Sequence, residues 1–412
     1  MTIETRETGL PDAPAAAVSY RALFRVEGFA QLAAGTVLAR TAGQIWQIAL
    51  ILFVLQRYHS PPLAGLATFL AVFPGLAISP IAGALLDRHR RLRLILVDYG
   101  FAAVSLALLA GLALAGRLNV ASLLLIAAVS SLTGPLSSSG TRTLFPVVVP
   151  RALWDRANAV DSASQALATV VGPALAGLFV AWVGGEGAFL LTAGVFVAAG
   201  LALVGLREPA RESAPRESFA RAAWRSLTYV LGSPSLRGLA IALWTANIPF
   251  GILTVALPVL VLQSFHWGAG AVGALWSLSG IATVAAGVVV GRINTERRER
   301  LIIAAALVLG AAGCLLTAVA TPLVVVAGMA LFGLSFAPLD IGIFALRQRR
   351  TDPRWFGRVF AVSMSLNYAG VPVGSALAGP VVEYGVRLAL LLAGVVALAG
   401  CAVPFLLIPR EG

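Results

Sequence analysis

Charged residues are gathered into short islands along this chain, and the stretches between them are long and apolar. From residue 62 to 86 no charged side chain occurs, and from 94 to 116 only Asp98 does. A helix rises 1.5 Å per residue, so ~20 apolar residues cross a hydrocarbon layer ~30 Å thick. Twelve runs of this kind can be read, at 29–55, 62–86, 93–116, 118–144, 157–183, 186–206, 236–263, 267–291, 300–320, 322–346, 356–382 and 386–408. They are continuous instead of alternating over ten residues, so the pattern predicts membrane-crossing helices and excludes a closed barrel. The expected fold class is an all-α membrane protein with twelve transmembrane helices.

Composition agrees. Of 412 residues 59% are hydrophobic and 12% charged, with a mean hydropathy of +0.90. Soluble domains carry roughly a quarter charged residues, so a water-soluble enzyme or receptor domain is excluded. All 30 basic residues are arginine, and the net charge is +12. The arginines lie between apolar runs and form no polar domain, so a nucleic-acid partner is not expected. Their distribution instead orients the chain. With the N-terminus inside, 26 arginines fall in inner loops and tails, only Arg57, Arg117 and Arg387 fall outside, and Arg40 lies in a span. The positive-inside rule then places both termini in the cytoplasm. Residues 1–28 lack an apolar leader core and read as a cytoplasmic tail. Cys314 and Cys401 lie in apolar runs and read as free thiols. His59, His89 and His266 are scattered in or beside loops without metal spacing, and no Gly-Lys-Ser/Thr phosphate loop occurs. No cofactor, metal, ATP drive or enzymatic activity is expected.

The chain is internally duplicated. Gly83…Arg88 returns as Gly287…Arg292, Pro135 as Pro338, and Pro150-Arg151 as Pro353-Arg354. Gly172-Pro173-Ala174-Leu175-Ala176-Gly177 returns as Gly374-Ser375-Ala376-Leu377-Ala378-Gly379. The offsets, 202 to 204 residues, are close to half the chain. Six crossings per copy is an even number, so both copies share one orientation and are related by an axis along the membrane normal. The expected domains are a six-helix bundle at 29–206, a central cytoplasmic loop at 207–235 and a second bundle at 236–408. Within the loop, Phe219, Ala223, Leu227, Val230 and Leu231 share one helical face opposite Arg216, Arg221 and Arg225. Gly232 and Pro234 then stop a basic amphipathic helix suited to the inner membrane surface. Two such bundles enclose a site near the midplane, where a small molecule can bind in a monomer surrounded by lipid.

Arg40 is the costliest residue to insert, at least ~2.5–3.5 kcal/mol mid-membrane. Thr36, Arg40, Gln44 and Gln47 share a helix face. Arg40 either faces a polar cavity or snorkels to an interface, and its central place in the run favours the cavity. Arginine stays protonated, so it can bind an anionic group or a carboxylate but cannot shuttle protons. Asp98 stands five residues from Arg93, and Asp161 five from Arg156, so each reads as an interfacial acid paired with its neighbour. Asp340 lies deeper, beside Pro338. A carboxylate there can load and release a proton as its cavity opens and closes, so Asp340 is the first candidate for proton coupling and Asp161 the second. Further cavity candidates are Ser137 in the stripe Ser130, Thr133, Ser137, Thr141, then Trp244 and Asn247 beside Pro249, and Asn367 and Tyr368 after Ser363. Trp46, Phe250, Trp276 and Phe336 could join them as an aromatic lining.

The loop Gly83-Ala84-Leu85-Leu86-Asp87-Arg88-His89-Arg90-Arg91, placed after the second run, resembles the loop between helices 2 and 3 of the major facilitator superfamily of secondary transporters. Phe145-Pro146 through Ala157-Asn158-Ala159, and Gln348 through Val359, are similar to its enterobactin-exporter and macrolide-efflux branch. Gly172-Pro173…Gly177 resembles the span-5 motif of drug:proton antiporters, with Ala176 where that motif has a glycine. The resemblance implies two pseudo-twofold-related six-helix bundles and proton-coupled efflux of small amphiphilic molecules or drugs by alternating access. Export of a siderophore or lipid-like anion is the alternative, with nutrient import or a non-transporting receptor further behind. It also implies that Gly83, Asp87, Arg88 and Arg91 form a gate in which Asp87 engages the N-terminus of helix 11. Related exporters often carry an acid where this chain has Gln44, so a span-1 proton site is not expected. Asp87→Asn should leave membrane insertion and folding intact while cutting transport by about tenfold or more, the loss expected when a charge-assisted contact is worth ~1.4 kcal/mol or more. Transport at the parental rate in that variant would remove the gate.

Overall fold

The structure, a computed structural model, describes residues 19–208, 219–292, 298–351 and 367–408. Among these, ten helical stretches are long and apolar enough to cross a membrane. One of them, Arg151–Ala202, has 52 residues, far more than one crossing needs. It bends at Gly184, whose φ of 73° is open to glycine and strained for other residues. The fifth and sixth expected runs are therefore two crossings on one continuous helical path. The eleventh run, 356–382, is described only from residue 367. The described helices thus accommodate the twelve expected crossings.

In chain order the helices are α1 (Tyr20–Phe24), α2 (Phe29–Tyr58), α3 (Pro61–Leu70), α4 (Phe73–Arg88), α5 (Arg91–Leu114), α6 (Val120–Ser131), α7 (Gly134–Val148) and α8 (Trp154–Ala202). After them come α9 (Phe219–Gly232), α10 (Pro234–Val259), α11 (Ala269–Val290), α12 (Glu299–Ala318), α13 (Pro322–Arg350), α14 (Gly370–Tyr384) and α15 (Val386–Leu407). The central helix ends at Gly232, as its sequence predicts. A wide turn at Leu260–Ser264 extends α10.

Two expected single spans are broken. The second divides into α3 and α4 at Ala71–Val72, and the fourth into α6 and α7 at Leu132–Thr133. Pro74 and Pro135 follow the breaks, each lacking the N–H that would continue the ladder. Backbone groups freed in hydrocarbon must find partners. Here the two breaks serve each other: the Ser131 hydroxyl accepts the N–H of Gly75 at 3.1 Å, and Ser131 O lies where a side chain on Gly75 would sit.

Within the first half α2 packs on α8, α5 on α7 and α8, and α4 on α7. Within the second, α12 packs on α13 and α15, α10 on α14 and α15, and α11 on α13. The halves meet along α8–α11 and α3–α14. These are the same contact under exchange of the halves, since the fifth crossing meets the eighth and the eleventh meets the second. The repeated glycines show the equivalence in atoms. The first of each pair packs within its own half, Gly172 against Gln44 of α2, and Gly374 with its missing Cβ 3.1 Å from Gly251 of α10. The second lies between halves. A Cβ on Gly177 would stand 2.7 Å from Ala269 O of α11, and one on Gly379 2.7 Å from Pro62 Cα of α3. The two bundles are thus pseudo-symmetric.

These contacts close the arginine-poor end, where Ser60, Gly184, Gly268 and Gly385 turn the chain. Along α8–α11 they reach mid-membrane, with Ser277 Oγ donating to Val170 O at 2.7 Å and Thr169 O standing 3.0 Å from the Cβ position of Gly280. The neighbours of Gly379 are backbone atoms, which cannot give way. Gly379→Val should therefore lower stability by about 1–3 kcal/mol through overpacking, read as a drop in melting temperature of the purified protein. Gly194→Ala, where a Cβ meets nothing within 4 Å, should lower it not at all. Equal behaviour of the two variants would mean that the α3–α14 contact is loose.

Candidate functional site

The polar residues of the spans come together in three places. The first joins α2 to α8. Arg40 Nη2 meets Asp161 Oδ1 at 2.7 Å, its Nη1 donates to Asp161 O at 2.7 Å, and Ser164 Oγ also accepts from Nη1. The expected pairing of Asp161 with Arg156 is thus corrected. Five positions on a helix is a rotation of about 140°, so Asp161 and Arg156 leave α8 on different faces. Arg40, 14% exposed at its side chain, is held by a carboxylate. Further along α2, Gln44 is half-buried beside Gly172, Gln47 is exposed, and Gly43 borders open space. Thr36, expected on the same face, is buried with its hydroxyl donating to Leu32 O at 2.7 Å.

The second place surrounds Asp98, only 4% exposed. Its carboxylate lies within hydrogen-bonding reach of the hydroxyls of Ser137 and Thr133 at the break in span 4, and the expected partner Arg93 is exposed. This correction has the same geometric cause, a five-residue offset. The span-4 stripe also bonds its own backbone: Ser130 Oγ donates to Ala127 O at 2.9 Å, and Thr141 Oγ1 to Ser137 O at 2.9 Å.

The third place belongs to the second half. Asp340 is exposed although it sits well inside α13, which passes through Pro338 as a continuous helix. Seven residues on, Arg347 returns to the same face within electrostatic reach of Asp340. Tyr368, 50% exposed, is within reach of both Asp340 and Arg142 of α7. Arg142, at the end of the fourth expected run, therefore faces the opposite half across the space between the bundles. Trp244 is exposed nearby on α10, where Trp244 O abuts the Cβ position of Gly370. Asn247 Nδ2 donates to Leu243 O at 3.0 Å and to Asn367 O at 3.1 Å. Asn367 itself is 2% exposed, and among the described residues both ends of its amide are unpaired. Such a group is costly unless a water or ligand completes it.

The aromatic candidates divide. Trp46 packs against Phe189 inside the first half, with ring centroids 5.6 Å apart. Phe250 gathers Trp276 at 5.2 Å and Phe336 at 5.7 Å between α10, α11 and α13, beside a small cavity of about 20 Å³. Trp46 thus packs within the first half, and the other three rings pack together within the second.

At the arginine-rich end, Gly83 is half-buried in α4, and Arg88 ends that helix in solvent. Arg91 opens α5 and donates from Nη1 to Thr143 O at 2.7 Å. Glu208, from the stretch joining the halves, accepts the N–H groups of Arg91 and Leu92 at 3.1 Å each and so caps α5. No sequence signal points to this capping, which spans more than a hundred residues. Ser164 was more legible, three positions from Asp161 on one face. The side chain of Asp87, and residues 352–366 where its expected partner lies, fall outside the described residues.

Residues 32–375 match the family model described as Major Facilitator Superfamily. An uncharacterized MFS-type transporter, y4rN of Sinorhizobium fredii, is 37% identical over 96% of this chain and 98% of its own length. The multidrug efflux pump Tap of Mycolicibacterium fortuitum is 30% identical over 87% of this chain and 93% of its own. The enterobactin exporter EntS of Citrobacter koseri is 27% identical over 78% and 77%. Among solved structures the nucleoside transporter NupG superposes with a TM-score of 0.77 at 13% identity, over 92% of this chain and 99% of its own, which is a likeness of fold. The efflux branch expected from the sequence is the one these relatives occupy, and its members are transporters, not enzymes. This chain belongs to the Major Facilitator Superfamily.

Proposed function

We propose that this multi-pass transporter exports small amphiphilic organic molecules in exchange for protons, with Asp340 as the coupling acid and the two halves, 29–206 and 236–408, rocking about the space between them. The observation that carries this reading is the contrast among the acids within the spans. Asp161 is held by Arg40 and Asp98 by hydroxyls, whereas Asp340 is exposed in the middle of a membrane helix. An intramembrane carboxylate kept open has to serve an ion or a substrate. Tyr368, Trp244, Gln47, Asn247 and Asn367 supply a mixed polar and aromatic surround suited to varied amphiphiles. The efflux relatives support export.

The same contrast selects among substrates. A free Arg40 would suit a siderophore or a lipid-like anion, but Arg40 is neutralised by Asp161. The open acid Asp340 favours neutral or cationic amphiphiles. In this reading the arginine-rich loops and both termini are cytoplasmic, in the inner membrane of a bacterium. The closed arginine-poor end then faces outward, and the cavity opens inward.

Cells that produce the protein should resist amphiphilic cationic drugs or dyes several-fold better than cells without it, at a fixed pH gradient. Asp340→Asn should abolish that difference and reduce gradient-driven uptake into inverted vesicles by about tenfold or more, as loss of a coupling acid requires. Undiminished gradient coupling in that variant would remove Asp340, and an unchanged susceptibility profile would remove export of drugs.

The ion pair makes a separate prediction. Arg40→Gln or Asp161→Asn alone leaves one partly enclosed charge without its partner and should destabilise by about 1–3 kcal/mol, whereas the double variant should recover much of that loss. Melting temperatures of the three proteins in detergent measure it. A double variant no more stable than the singles would show that pairing is not what holds Arg40 in place.

A further inference from the structure

Away from the central space, the starts of α10 and α12 and the end of α15 surround a surface depression of about 510 Å³ at the arginine-rich end. It is lined by Pro234, Arg237, Arg300 and the segment from Phe405 to Ile408, and among the described residues no carboxylate borders it. Arg300 is fixed in place: Nε donates to Pro404 O and Nη2 to Phe405 O, each at 2.9 Å, and its guanidinium carbon lies 5.5 Å over the Phe405 ring. A guanidinium has five N–H donors, so three remain for another acceptor. Arg237 is exposed and reaches only Leu231 O, at 3.4 Å.

Among the described residues neither arginine meets an acid. Glu299, next to Arg300 in sequence, is buried and turned to Arg349. Beside the Arg300 guanidinium, Phe405 and Leu406 are 53% and 77% exposed. The place therefore offers two positive charges, met by no acid among the described residues, beside an exposed apolar pair.

We propose that this depression binds the phosphate of an anionic phospholipid, with Arg237 and Arg300 as its ligands and Phe405 and Leu406 against the acyl chains. Guanidinium groups match phosphate oxygens in geometry and charge. Basic recesses between helices at this face are where anionic headgroups settle. A free phosphate would gain only the charged contacts, so the exposed apolar pair selects a lipid over a soluble anion. The site also lies where the central helix α9 turns into α10, so its occupant would steady the junction between the connecting segment and the second half.

The test is native mass spectrometry of the full chain in detergent, titrated with phosphatidylglycerol or with phosphatidylcholine. It does not depend on transport, so its outcome is separate from that of the export reading. Each arginine near an anionic lipid is worth about fivefold in binding, so Arg237→Gln should weaken phosphatidylglycerol retention by about that factor and the Arg237→Gln/Arg300→Gln pair by about 25-fold. Phosphatidylcholine retention should not move, and millimolar glycerol phosphate should not displace the lipid. Because Arg300 also fastens α12 to α15, Arg237→Gln alone decides the matter if the double variant fails to fold. Parental retention of phosphatidylglycerol in Arg237→Gln would overturn the proposal. Displacement by glycerol phosphate would overturn it too, making the depression a soluble-anion site.

Discussion

Hydrocarbon offers no hydrogen bonds, and the structure depends throughout on that deprivation. A charge or an unpaired backbone group inside the membrane must be answered by the protein itself or by water that the protein admits. Arg40 is answered by Asp161 and Ser164, Gly75 N by Ser131, and Asp98 by Thr133 and Ser137. Each answer fastens one helix to another, so the polar residues act as pins between spans. Asp340 stands out because it is exposed where these groups are enclosed.

A second constraint follows from the first. Between helices that already sit in an apolar solvent, hydrophobic burial supplies little attraction, and association depends on close packing of small residues. The halves meet accordingly through glycine and backbone, at Gly177 with Gly273 of α11 and at Gly379 with Pro62. Such interfaces are tight but hold few charged or hydrogen-bonded contacts to break. Ser277 with Val170 is one of the few hydrogen bonds across them. A seam of this kind suits two bodies that must separate and close again, because it resists shear through shape instead of through many directional bonds.

Much of this was legible in the chain. The crossings could be read because an apolar run of a given length has few other uses, and the pseudo-symmetry because Gly172…Gly177 and Gly374…Gly379 keep their spacing. Partners across the bundle were not legible. Pairing Asp161 with Arg156 and Asp98 with Arg93 followed nearness in sequence, while a helix brings together residues three, four or seven apart. The seven-residue interval from Asp340 to Arg347 meets that rule, and those two groups do interact. Arg40 and Asp161 lie 121 positions apart, and only packing of α2 on α8 brings them together. Glu208 capping α5 is hidden for the same reason. The breaks at Val72 and Thr133 had prolines to announce them, but prolines also lie inside unbroken helices such as α13, so the residue alone does not decide.

Duplication makes the asymmetry of the site informative. Pro135 and Pro338 correspond, and the same 203-residue offset places Asp340 opposite Ser137. One position of the repeat thus carries a hydroxyl beside a buried acid in the first half and an open acid in the second. Arg40 and Asp161 add a neutralised pair to the first half, where α2 packs on α8. The first half has paired Arg40 with Asp161 and enclosed Asp98, while the second has left an exposed acid, with Arg142 of the first half within reach of the Tyr368 beside it. The scaffold is thus twofold in its packing and one-sided in the chemistry of this position. That division follows from where the copies have kept glycine and where they have exchanged a hydroxyl for a carboxylate.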